Sequence, residues 1–232
     1  MAIALYELGG KDGQRYSQFS WRTRLALAHK ALDFETVPVA ISDKAAIAFS
    51  GQEKVPILKD GGKVIADSWK IAEHLESAYP DRPSLFGGER GQALARFVNI
   101  WADRQLVSRL APMLMIDLFG IVDEKDAAHL RTTIEAAFKK SLEDLSARRN
   151  DDIIGFRRLL DPVRLMLRTQ PFISGASPAY ADYIVFSLMQ WARIVSTFEI
   201  IEAGDAIAAW RERMLDLYGG LARKENSRAA TN

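Results

Sequence analysis

The sequence predicts a two-part α+β fold: a small α/β unit of order β-α-β-α-β-β-α, then an all-helical bundle. Three observations predict it. Short β-rich runs occur only before residue 67. A proline-rich break, Tyr79-Pro80-Asp81-Arg82-Pro83, follows them. Beyond it, apolar residues recur only at helical spacing.

Residues 2–8 read as a first strand, and Gly9 to Arg15 as a polar, glycine-rich loop. From Ser17 to Leu32, Trp21, Leu25, Ala28 and Leu32 fall at helical spacing. Phe34 to Val39 alternates and makes a second strand, and residues 43–49 a short helix. Lys54–Lys59 and Lys63–Ala66 pair as a hairpin around Gly61-Gly62. Residues 68–78 are helical, with Ile71, Ala72 and Leu75 on one face. The expected units are residues 1–79, a linker 80–86, a helical unit 87–222 and a fraying polar tail 223–232. In the helical unit, residues 88–119 predict one long helix kinked at Pro112. Residues 124–148 predict a charged amphipathic helix, and 155–169, 179–195 and 205–218 three more.

Composition narrows the function. A net charge of +1 gives no electrostatic case for nucleic acid or an anionic membrane. The N-terminus lacks the pattern of a signal peptide and no apolar stretch reaches a membrane span, so the cytoplasm is expected. There is no cysteine, which excludes disulfides, thiolate metal sites and thiol nucleophiles. His29, His74 and His129 have no metal-ligand spacing, so no metal is expected, and each reads as a surface or half-buried helical histidine.

The proline in Val55-Pro56-Ile57-Leu58 is out of place in an apolar run, because it has no N–H for a sheet ladder. A cis bond there would turn the Val55 backbone toward a ligand. Asp67-Ser68 then opens a helical pattern whose free N–H groups suit an anion, while Asp67 suits an amine. Ser17 stands where the first loop meets the first helix. Its hydroxyl there is either an N-cap or a donor to a bound thiolate. A free thiol has a pKa of about 8.5, and each unit of lowering needs roughly 1.4 kcal/mol. One charge-assisted hydrogen bond and a helix dipole together supply roughly one or two units.

The run Ser17-Gln18-Phe19-Ser20-Trp21-Arg22-Thr23-Arg24-Leu25-Ala26-Leu27 resembles the first helix of cytosolic glutathione transferases. The first strand, the Val-Pro step, the Asp-Ser pair, the break near residue 80 and the helical remainder match in order. The resemblance spans residues 2–220. It implies a thioredoxin-like first domain, glutathione as co-substrate and a homodimer. Within the superfamily, the SxxxWRTRxAL helix and Asp67-Ser68-Trp69-Lys70-Ile71-Ala72-Glu73 resemble the serine-type bacterial β-etherases and their fungal Fu-type relatives.

Carried across by resemblance, the activating residue falls on Ser17 and the cis-proline on Pro56. Val55 then bonds the cysteinyl part of glutathione, and Asp67 and Ser68 hold its γ-glutamyl end. Gln52 and Lys54 are the local candidates for the glycine carboxylate. Gln18 stands where the family often has proline. The family's helical capping box keeps Asp182 but has Ala179 at the cap, leaving Asp182 to accept backbone N–H groups and either Ser177 or a water as outer cap. Tyr6 and Tyr16 are rival activators, but aromatic residues there usually belong to the core, so Ser17 is preferred.

The family's hydrophobic pocket implies Phe19, Met113, Met115, Ile116 and Phe119 as candidates, with Phe19, Met115 and Phe119 singled out as lining. Arg15 or Arg22 would steer an anionic substrate. The expected activity is attack of a glutathione thiolate on a hydrophobic or aromatic electrophile, with aryl-ether cleavage as one form. The alternatives are a non-catalytic carrier of aromatic ligands and a structural adaptor that uses the fold to dimerise. An adaptor has no need of Ser17, Pro56, Asp67 and Ser68 together.

Overall fold

A computed structural model describes residues 2–228. Four strands form one mixed sheet in the order β2-β1-β3-β4. β1 (Ile3–Leu8) runs parallel to β2 (Phe34–Val39), with Ile3 opposite Phe34 and Leu8 opposite Val39. β3 (Ile57–Asp60) is antiparallel to both β1 and β4 (Lys63–Ala66). Pro38 is tolerated inside β2 because β2 is an edge strand. Alternation sorts the sheet's two faces. Leu5 and Leu58 join the main core, while Tyr6 and Ile57 join a smaller cluster with Val39, Ile47 and Val55.

α1 (Gln18–His29) and α2 (Ser68–Ala78) cover the main-core face, where Trp21, Leu25, Ile71 and Leu75 are fully buried. A 3-10 turn, Ala45–Ser50, replaces the expected short helix. Below the linker, α9 (Tyr180–Val195) is the hub of the bundle, buried over most of its length and packed on α1. The first part is thus a thioredoxin-like domain, and the second is all helical.

The helical half departs from expectation in three places. The long helix is α3 (Glu89–Trp101), a π segment (Ala102–Val107), α4 (Ser108–Leu114) and a 3-10 turn (Met115–Gly120). The first change of geometry therefore comes ahead of Pro112, which lies inside α4. The helix expected over 124–148 is two, α5 (Glu124–Phe138) and α6 (Leu142–Ala147). Lys139 turns left-handed between them, and the Ser141 side chain caps α6. The helix expected over 155–169 is α7 (Arg149–Leu159) and α8 (Asp161–Leu167). Pro162 has no N–H and sits in the first turn of α8, where none is needed. α10 (Ala206–Gly220) closes the bundle.

Asp182 accepts from the backbone N–H of Ile173, Ser174 and Ala179 at 2.7, 3.0 and 3.2 Å, and from Trp210 Nε1 at 3.0 Å. With alanine at the cap position, this one carboxylate organises the turn before α9 and ties it to α10. The described part of the tail makes hydrogen bonds to the bundle. Arg193 donates to the carbonyls of Ala222 and Glu225, at 3.4 and 3.3 Å, and Arg228 to that of Asp117 at 3.0 Å. Residues 229–232, the rest of that tail, lie outside the described residues.

Candidate active site

The loop from Gly9 to Arg15 is pinned before it reaches α1. Lys11 N donates to Ile121 O at 2.8 Å, and Gly10 N to Gln14 O at 2.8 Å. A side chain at Gly10 would meet Ile121 O at 2.9 Å, so glycine is needed for this approach. Arg15 is clamped on both sides. Its N–H donates to Glu225 Oε1 at 3.0 Å, and its carbonyl accepts from Trp21 Nε1 at 2.6 Å. Two residues later Ser17 caps α1, and its Oγ accepts from Ser20 N at 3.3 Å. That bond uses an oxygen lone pair and leaves the hydroxyl proton free to donate.

Ser17 opens on a cavity of about 330 Å³. Phe19, Lys54 and Val55 line it from the thioredoxin-like domain, and His129, Leu130 and Thr133 on α5 form the opposite wall. The Val55-Pro56 bond is cis. Pro56 O accepts from Asp67 N at 3.3 Å, and Asp67 lines a second, polar cavity of about 720 Å³. Asp67, Lys70, Arg96, Asn99 and Asp103 line the second cavity. Asp67 sits at φ +81°, a backbone region rare for a residue with a side chain. Its Oδ1 accepts from Trp69 N at 3.0 Å and Lys70 N at 3.1 Å, capping α2. One carboxylate oxygen thus holds the helix start. Ser68 is buried behind it, and its carbonyl accepts from Tyr180 OH at 2.7 Å.

The structure separates the remaining sequence candidates. Tyr6 stacks against Phe49 at 4.9 Å and takes Lys59 over its ring, away from the Ser17 cavity. Tyr16 is buried, and its hydroxyl lacks a hydrogen-bond partner among the described residues. Burial, then the Asp126 and Asp123 carboxylates, push that phenol well above its usual range, away from a phenolate role. Gln52 and Lys54 are both exposed, but only Lys54 lines the cavity. Met115, Ile116 and Phe119 pack into a cluster with Ile134, Leu142 and Leu145 rather than lining the cavity, and Met113 is plain core. Helical spacing gave those residues an apolar face, and α5 and α6 cover it.

Both arginines have protein partners. Arg22 is fully buried and donates to Asn99 Oδ1 at 3.1 Å, Asp103 Oδ1 at 2.8 Å and Ser187 Oγ at 3.4 Å. It ties α1 to α3, the π segment and α9. Arg15 donates to Gly13 O at 2.7 Å and faces the buried Glu7 at 3.6 Å. Glu7 also accepts from Arg24 at 3.1 Å. Burial nonetheless raises the Glu7 carboxyl to about 7, against the pull of Arg24 and Arg15 and with help from Glu225.

A family model described as the glutathione S-transferase N-terminal domain matches residues 13–83, and one for the C-terminal domain matches residues 93–217. The chain belongs to the glutathione S-transferase family. This glutathione transferase is 25% identical to glutathione S-transferase 4 of Zea mays over 204 residues, covering 85% of this chain and 83% of that one. It is 32% identical to glutathione S-transferase Z2 of Arabidopsis thaliana over 121 residues, about half of each chain at 50% and 52%. Among solved structures, glutathione transferase GSTFuA3 from Phanerochaete chrysosporium superposes with a TM-score of 0.77 at 25% identity, covering 95% of this chain and 92% of that one. CsGST63524 of Ceriporiopsis subvermispora, solved in complex with glutathione, gives a TM-score of 0.76 at 22% identity, covering 97% and 94%. At that identity the likeness shows the shared fold.

Among the described residues there is no group of three or more His, Asp or Glu able to hold a metal ion. No helix among them is long and apolar enough to cross a membrane. The α5 wall was missed from sequence. Its signal was slight: a histidine and a leucine on a polar helix more than a hundred residues from Ser17.

Proposed function

We propose that this glutathione transferase is of the serine type. The Ser17 hydroxyl donates to the sulfur of bound glutathione and holds it as a thiolate, which attacks a hydrophobic or aromatic electrophile. Val55 meets the cysteinyl backbone, and Lys54 lies beside the glycine carboxylate. The free oxygen of Asp67 takes the amine, and the start of α2 at Ser68 takes the γ-glutamyl carboxylate. The observation that carries this reading is the Ser20 N to Ser17 Oγ bond, 3.3 Å, which fixes the hydroxyl while leaving its proton to donate. Aryl ethers are the proposed electrophiles, in keeping with the resemblance of the α1 and α2 motifs to β-etherases.

Ultraviolet absorbance of the thiolate tests this. Glutathione bound to the wild type is expected to show thiolate at neutral pH, and the Ser17→Ala complex much less. Equal absorbance in both would overturn the role of Ser17.

We also propose a homodimer in the cytoplasm. Leu94 and Phe97 on α3 are 70% and 69% exposed, an apolar face suited to a second copy. Sedimentation at twice the chain mass is the expected result.

A further inference from the structure

The α5 wall of the Ser17 cavity carries one imidazole, that of His129. Its position is set from the first turn of the helix. Asp126 is buried, and its carboxylate accepts from Ile41 N at 2.7 Å and Ser42 N at 2.8 Å, in the loop after β2. Its own N–H donates to the capping Asp123 Oδ1 at 2.8 Å. Helical spacing then carries the same face to His129, Leu130 and Thr133, three, four and seven residues on. One carboxylate therefore bolts α5 to the thioredoxin-like domain and turns His129 toward the cavity that Ser17 opens on.

The imidazole makes no hydrogen bond or ion pair among the described residues, and His129 is exposed, so bulk water can return a proton to it. The other charged groups around the cavity are Asp43, Lys44, Glu53 and Lys54. Lys44 Nζ donates to Glu53 O at 2.8 Å and is committed there. Asp43 accepts from Ala46 N at 3.1 Å. Of the groups left, Glu53, Lys54 and His129, the imidazole alone carries a donor and an acceptor nitrogen on one ring, so it can give a proton at one and take one at the other.

We propose that His129 is the general acid for the departing group, and that the second substrate accordingly leaves as an aryloxide rather than a halide. This rests on the thiolate reading above. The sulfur lone pair forms the new C–S bond. The C–O bond breaks, and its electron pair goes to oxygen. The imidazolium of His129 gives its proton to that oxygen, and the phenol departs. Water then reprotonates the imidazole, which balances the proton lost when the thiolate formed. The net change is thiol plus ether to thioether plus phenol. A halide leaves without a proton, whereas a phenoxide is basic enough to need one.

The test compares α-aryloxyacetophenones, whose phenols span a range of acidity, with α-chloroacetophenone, each turned over with glutathione by the full chain. In His129→Gln, turnover of the least acidic phenol is expected to fall relative to the chloride by about 10- to 100-fold. The dependence on phenol acidity should steepen. Both substrates are read on the same variant, so loss of folded protein or of glutathione binding cancels in the ratio. An unchanged ratio overturns the proposal. So does a ratio that falls in Lys54→Gln instead, or a wild type that turns over only the chloride. Failure of the thiolate reading looks different: Ser17→Ala would leave turnover of both substrates intact.

Discussion

Arg15 and Glu225 are hydrogen-bonded across 210 residues of chain, amide nitrogen to carboxylate oxygen at 3.0 Å. The same carboxylate lies 3.5 Å from Arg24 on α1. The backbone just before Ser17 is therefore held by a residue beyond the last helix. In Glu225→Ala, bound glutathione should show less thiolate at neutral pH, read by ultraviolet absorbance. Removing an acceptor this well placed costs roughly 1–3 kcal/mol, read by denaturant unfolding.

Glu7 predicts a pH dependence of stability. Its carboxyl rises from 4.5 to about 7 on folding, so between those pH values the folded chain binds more protons than the unfolded one. Stability from this group is therefore highest below about pH 4.5 and is lost as pH rises toward 7. Glu7→Gln should be more stable than wild type at pH 8, with the advantage shrinking toward pH 5 in parallel urea titrations.

Asp67 caps α2 through Oδ1 and lines the polar cavity. Asp67→Asn keeps an oxygen for Trp69 N and Lys70 N but removes the charge. KM for glutathione should rise about tenfold, equivalent to roughly 1.4 kcal/mol, with unfolding little changed. A KM equal to wild type would remove the amine from Asp67.

Arg22 is a structural tie. Arg22→Ala leaves Asn99 and Asp103 without their buried partner and should cost about 3 kcal/mol in unfolding free energy. The melting temperature should fall, and the loss should be the same with and without glutathione.

Asp126 ties α5, a wall of the Ser17 cavity, to the loop after β2. Asp126→Ala frees α5 from Ile41 and Ser42, so KM for the apolar substrate should rise several-fold while KM for glutathione holds.

Much of the fold was legible because its signals are local. Phe34–Val39 announces itself by alternation, and Ser68–Ala78 by a capping aspartate before an apolar face. Ser17, Val55 and Asp67 were legible for a similar reason: each sits at a junction whose backbone chemistry the sequence states. What was not legible depends on distance or on an unexpected residue. Lys139 ends α5 in a left-handed turn with no glycine to mark it. Arg22 reads as a solvated charge until Asn99 and Asp103 arrive beside it. Asp126 and His129 gain meaning only once α5 lies against the loop after β2.

The clamp on Arg15 also sets an order of assembly. A ribosome at about 5–20 residues per second takes roughly 10–40 s to pass from residue 15 to residue 225, a span of 210 residues. Throughout that interval the sheet and α1 can exist, but the strut behind Ser17 does not. The Arg15 amide gains this acceptor only when the last described segment folds back onto the first loop.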